Sequence, residues 1–236
     1  MEEKVRKFFI GIDLGGKTKA STGLCILEEF NGKLSLSQAY CKMCHDLRYA
    51  ELFETLKPYL ERTEVIAIDG PLTLGKGKGL MRLYEKFLST KIFRQARVTP
   101  LPPALMPSLN VIGQELVEEF KEYGFVLDKN LIETFPTLVK EICHKDFPRG
   151  LLENETSKKE TKIPCKTSNQ KAALICAAIT WLHSNFKTRW LGYKDGFLFL
   201  PEMSFWKEQW HQKFYQAWME KSRLKYRYLI TNIFRK

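Results

Sequence analysis

The chain has 236 residues, of which 44% are apolar and 28% charged, with a formal net charge of +11. This suits one large globular domain with a sizeable core and excludes an intrinsically disordered chain. No apolar run reaches the ~18–20 residues of a membrane helix, and the first residues carry no hydrophobic signal core, so a cytoplasmic protein without a membrane partner is expected. The lysine and arginine excess points to a polyanionic partner, nucleic acid foremost.

In chain order, residues 8–14, 23–29 and 34–40 read as strands. Asn31-Gly32 between the second and third is a strong hairpin signal, so three antiparallel strands open the chain. Residues 46–60 have helical periodicity, with Asp46 as a plausible N-cap. Then come a strand ending at Asp69, a Gly/Lys loop, helical stretches near 80–92 and 111–123, and a strand ending at Glu133. A polar connection over 153–169 leads to an apolar helix over 170–186, a hairpin over 189–201 and a last helix over 202–220. Strands alternating with helices after an antiparallel start predict an α/β sheet with an antiparallel edge. Residues 100–108 hold four of the ten prolines and make a stiff loop, suited to a substrate-shaping wall or lid, or to a plain connection.

Three acids end short apolar runs: Asp13, Asp69 and Glu133. A carboxylate at the end of a buried strand is costly to desolvate unless a cation meets it. Three such strands side by side would gather an oxygen-rich site of the kind hard divalent metals prefer. Two of them also have a plainer use. Asp69 before Gly70-Pro71 suits a turn, and Glu133 before Thr134-Phe135-Pro136 suits a helix cap.

Other motifs carry less. Gly11-Ile12-Asp13-Leu14-Gly15-Gly16-Lys17-Thr18 satisfies the letters of a P-loop and would suit a nucleotide-dependent phosphotransferase or ATPase. A P-loop must open a helix, however, and here Gly11–Leu14 reads as strand, with Asp13 inside the supposed phosphate nest. The same residues look like the first phosphate-binding hairpin of sugar kinases and actin-like ATPases. Those proteins repeat one α/β unit, for which this length leaves no room. Cys41-Lys42-Met43-Cys44-His45 matches a c-type haem attachment pattern, which would need export; a zinc site would want a second cysteine pair. Cys25 and Cys176 sit in apolar runs as small core residues.

Taken together, several ordered segments resemble a family of predicted nucleases with a ribonuclease H-like fold, domain-of-unknown-function family 429. They are Phe8–Gly16, Ser21–Leu24, Ile66–Leu72, Arg82, the proline-rich stretch, Ile132–Pro136 and Ala173–Ala178. The resemblance spans about residues 8 to 201. It implies a ribonuclease H-like domain over 1–201, three antiparallel strands extended by parallel ones, followed by an appended aromatic helix and basic tail over 202–236. It further implies that Asp13, Asp69 and Glu133 are the catalytic residues and the ligands of Mg²⁺ or Mn²⁺, with water as nucleophile in phosphodiester hydrolysis. One position departs from the pattern: the family carries a further acid where this chain has Ala172, with Lys171 beside it. A nucleic-acid-binding protein with impaired catalysis is the alternative that this departure raises.

Basic residues cluster between Gly75 and Arg97, seven against the single acid Glu85. Lys76, Lys78, Arg82 and Lys171 are the expected nucleic-acid-binding residues, the first two on a glycine loop suited to holding backbone phosphate. Trp206, Trp210, Phe214 and Trp218 recur every four residues and read as a packing face of one helix.

Overall fold

The computed structural model describes residues 6–17, 19–36, 45–77, 79–152, 165–220 and 228–234. Its centre is β1 (Lys7–Asp13), whose Phe8–Ile12 are buried from both sides. β2 (Thr22–Phe30) runs antiparallel to it and turns at Asn31-Gly32 into β3 (Lys33–Leu36). Both turn residues have positive φ, 55° and 74°, as a two-residue type I′ hairpin requires. The short β4 (His45–Leu47) continues along β2. Then α1 (Tyr49–Leu60) crosses to β5 (Thr63–Asp69), which lies parallel to β1 with Asp13 beside Asp69.

After β5 the chain makes two short helices, α2 (Leu83–Leu88) and α3 (Lys91–Gln95), where a single helical stretch was expected. α4 (Pro107–Lys121) starts four residues earlier than its periodicity suggested, because Pro107 fits the first helical position. β6 (Leu131–Glu133) pairs parallel to β5 and is followed by α5 (Pro136–Ile142), whose first residue is Pro136 and whose N-cap is Phe135, so Glu133 does not cap it. α6 (Ser168–Ser184) leads to the hairpin of β7 (Thr188–Tyr193) and β8 (Gly196–Pro201), and α7 (Glu208–Glu220) to β9 (Ile230–Thr231) on the outer side of β7. Among the described residues nine strands form one mixed sheet in the order β3-β2-β1-β5-β6-β8-β7-β9, with β4 also on β2. The fold is α/β, and no helix among the described residues is long and apolar enough to cross a membrane.

Each face of the sheet has its own cover. Ile10, Ile12, Ile66, Ile68 and Leu131 pack under α1 and α4 through Leu52, Leu56, Ile112 and Leu116. The alternate residues Phe9, Ala67 and Ile132 meet α6 through Ala173, Ala177, Cys176 and Ile179. Two glycines set the height of α6. A Cβ on Gly11 would sit 2.1 Å from Ala173 O, and one on Gly23 would sit 2.2 Å from Asn169 O. The helix therefore rests on bare backbone and starts beside the end of β1. Trp210 and Phe214 of α7 are fully buried against Phe87 and Phe93, so the aromatic stripe of α7 is a packing face within the same core as the sheet; Trp206, expected on that helix, precedes it and packs on Phe214.

Asp46 does not cap α1. It lies in β4, and the helix is opened by Arg48, whose N–H donates to Glu51 Oε2 at 3.1 Å. Its carboxylate instead accepts from Thr167 Oγ1 at 3.1 Å, at the start of α6.

Candidate functional site

Parallel pairing puts Asp13 opposite Asp69, and residues directly opposite share a face. Both leave the sheet on the α6 side, and their carboxyls meet in a hydrogen bond. Two carboxyls make that bond only by sharing a proton. Burial pushes Asp13 up to about 7, against the lowering effect of its bond from Asp69 and with a further rise from the charge of Asp46. Burial, then the charges of Asp13 and Glu133, hold Asp69 well above the usual carboxylate range, and Asp69 is the donor. Near neutral pH the pair therefore keeps one proton, and neither carboxyl is paired with a basic side chain among the described residues.

Glu133 does not join them. It lies opposite Ile68, one register step from Asp69, so the pleat sends it to the other face. There it is buried and saturated. Arg82 Nη1 and the Tyr84 hydroxyl donate to its two oxygens, and Leu72 N–H donates to Oε2 at 3.1 Å. Burial raises the Glu133 carboxyl, and Arg82 and Tyr84 oppose that rise. The three expected ligands thus divide into a facing pair and a separately neutralised third. Among the described residues no group of three His, Cys, Asp or Glu is placed to hold a metal ion.

Arg82 is accordingly not a surface cation for nucleic acid. It is 2% exposed and bridges Glu133 to Glu85, donating from Nη2 to Glu85 Oε1 at 2.6 Å. Its own N–H donates to Glu85 Oε2 at 2.7 Å as α2 begins. The signal was present as a basic residue followed three positions later by a glutamate at a helix start, and the positive stretch around it masked that reading. Tyr84 and Glu85 are the members of this cluster that the sequence did not announce.

The other expected residues divide by exposure. Lys76 is exposed on a loop closed by Gly75 N–H to Leu80 O at 2.8 Å and Leu80 N–H to Gly77 O at 3.1 Å. Lys171 is exposed in the first turn of α6, and the neighbouring Ala172 is half-buried with no carboxylate to offer. Lys78, Cys41, Cys44 and the basic run at 221–227 lie outside the described residues.

The P-loop letters do not form a P-loop. Gly11–Asp13 pair within the sheet, the next element is β2, and Lys17 Nζ pairs with Glu115 at 2.9 Å.

A cleft of about 350 Å³ opens over the strand ends. Asp13, Asp69, Arg82 and Glu133 line its base, and the proline-rich segment supplies a wall through Pro100, Leu101, Met106 and Leu109. An acid pair that keeps a proton in a cleft, with no basic partner among the described residues, is suited to exchanging that proton for a metal ion. A hard divalent ion of the Mg²⁺ type is commonly held by one or two carboxylates together with substrate phosphate, so the Asp13–Asp69 donor set fits one such ion. It does not fit two. Compared with protein-family models, curated proteins and solved structures, the chain matches none of them.

Proposed function

We propose that this protein is a divalent-cation-dependent nuclease with a ribonuclease H-like core, acting through Asp13 and Asp69. The observation that carries the reading is the in-register carboxyl pair facing an open cleft, with no basic side chain paired to either acid among the described residues. The strand order supports it. An antiparallel β3-β2-β1 followed by β5 and β6 parallel to β1 is the arrangement that the resemblance implies. A net charge of +11 favours a polyanionic substrate.

Bound Mg²⁺ or Mn²⁺ would supply charge neutralisation at the scissile phosphate during attack by water. The chain's own residues set the conditions. Asp13 and Asp69 release their shared proton to become a dianionic donor pair. Arg82 and Tyr84 engage both oxygens of Glu133, so Glu133 is not free to take the ion, although its charge still reaches Asp69. The Leu72 N–H on Glu133 fixes the turn after Asp69 and thereby the direction of that carboxyl. Lys76 lies on the loop that leaves this turn, placed to meet neighbouring backbone phosphates.

A second reading is favoured by Glu133 and Ala172 together. With one acid engaged and another replaced, the residues at hand suit binding of nucleic acid without cleavage.

One panel separates the two. Purified protein is incubated with Mg²⁺ or Mn²⁺ and labelled single strands, duplexes, RNA–DNA hybrids and branched junctions, with Asp13→Asn as control. Metal-dependent cleavage that the variant loses supports the nuclease. Cleavage that Asp13→Asn retains in full sinks the assignment. Salt-sensitive binding without cleavage under either metal leaves the binder.

A further inference from the structure

We propose that the cleft beside Asp13 and Asp69 seats one unpaired nucleotide, so that the protein engages single-stranded or locally opened nucleic acid in preference to regular duplex. This rests on the nuclease reading and names the substrate class for the same site.

Size is the first ground. About 350 Å³ lies at the small end of the ~300–1,000 Å³ typical of small-molecule pockets. That is room for one base and its sugar, and a stacked base pair would have to stay outside.

The two ends of the cleft divide as a nucleotide does. The Asp13–Asp69 end suits a cation-bridged phosphate. The other end is the apolar wall of Pro100, Leu101, Met106 and Leu109, which suits the face of a base. This wall is built in advance. Asn110 Nδ2 donates to Pro103 O at 2.7 Å, and Ala104 N–H donates to Gly79 O at 3.2 Å, which ties the wall to the Lys76 loop. Leu101 is 61% exposed, so its side chain is free to meet a ligand.

The third ground is independent of shape. Buried polar atoms are nearly always hydrogen-bonded, and an exception calls for a partner. Two of the exceptions in this protein, Arg82 Nε and Thr99 Oγ1, belong to residues that line this cleft, and Arg82 is 2% exposed. Neither can be satisfied by a purely apolar ligand. A base edge offers both acceptors and donors. Bases within a duplex reach such a cleft only after unpairing and unstacking, and that cost lowers affinity by about tenfold or more.

The test uses the full chain with Ca²⁺ added as the bridging cation and fluorescence anisotropy of labelled oligonucleotides. The probes are a single strand, its perfect duplex, and the same duplex with one bulged nucleotide, with a mononucleotide as competitor. The single strand and the bulged duplex are expected to bind at least about tenfold tighter than the perfect duplex. The exposed substitution Leu101→Asp should erase that preference, and Thr99→Val should weaken it. Equal affinity for duplex and single strand overturns the inference, as does a preference that survives Leu101→Asp. So does a mononucleotide that competes at the strand's own concentration, because the site would then serve free nucleotides. A preference without any cleavage in the metal panel sinks the nuclease and keeps the nucleotide cleft. Cleavage of duplex and single strand at equal rates does the reverse, and binding of no probe overturns both.

Discussion

Asp69 and Glu133 end neighbouring parallel strands after similar apolar runs, yet the fold treats them in opposite ways. Asp69 faces α6 and shares a proton with Asp13. Glu133 faces the other side and receives a guanidinium, a phenol and a backbone N–H. The difference follows from one register step, since adjacent positions in a strand point to opposite faces. A buried carboxylate met by Arg is a structural element. A pair without a basic partner among the described residues is the one that the proposed ion would neutralise. The first fixes the turns around the cleft, and the second gives the cleft its chemistry.

The sharpest break of this comparison is Arg82→Met. It leaves Glu133 charged, buried and without its cation, at a cost of about 3–5 kcal/mol. Urea denaturation should show that loss, with partial recovery when Glu133→Gln is added. Full stability in the single variant would mean that Arg82 does not neutralise Glu133.

A divalent cation should act on the other half of the comparison. Mg²⁺ at a hundredfold excess over its dissociation constant should stabilise the fold by about 2.7 kcal/mol. Thermal melts should show the shift at pH 8, and it should vanish in Asp13→Asn. At pH 5.5 the shift should shrink, because the pair then holds its proton against the ion. An equal shift in Asp13→Asn would place the ion elsewhere.

The pair should also tilt stability with pH. Asp13 titrates at about 7 in the native state against 3.8 in a free chain, so between those values the native state binds the extra proton. Stability is therefore highest toward pH 4 and falls as pH rises to about 7. Asp13→Asn should flatten that slope, being level with the parent near pH 4 and more stable than it at pH 8. A parallel decline in both proteins would remove Asp13 as its source.

The smallest effect is expected at Lys17→Ala. Its ion pair with Glu115 is exposed, so its loss should change stability by no more than about 1 kcal/mol. Titration with ATP should show no affinity in either the variant or the parent. ATP binding lost with Lys17 would revive the phosphotransferase reading.

Much of this was legible in the chain. Asn31-Gly32 marks a hairpin because both positions must adopt positive φ, and those residues tolerate it. The apolar runs before Asp13 and Asp69 specify buried strands whatever surrounds them, and the four-residue spacing of Trp210, Phe214 and Trp218 specifies one helix face. Arg82 was misread because local charge density cannot tell an arginine folded over two glutamates from one left in water. Asp46 was read as a cap because its neighbours suit a helix start, whereas pairing with Gly23 on a distant strand holds it in the sheet.

By itself, then, the sequence determined most of the elements, the hairpin, the α/β class and the placing of three acids at strand ends. Those properties follow from short-range preferences and from apolar periodicity. Tertiary structure alone decided which acids meet. The registers of β5 on β1 and of β6 on β5 depend on how whole strands pack beneath α6 and α4, and a slip of one residue would exchange the faces of Glu133 and its neighbours.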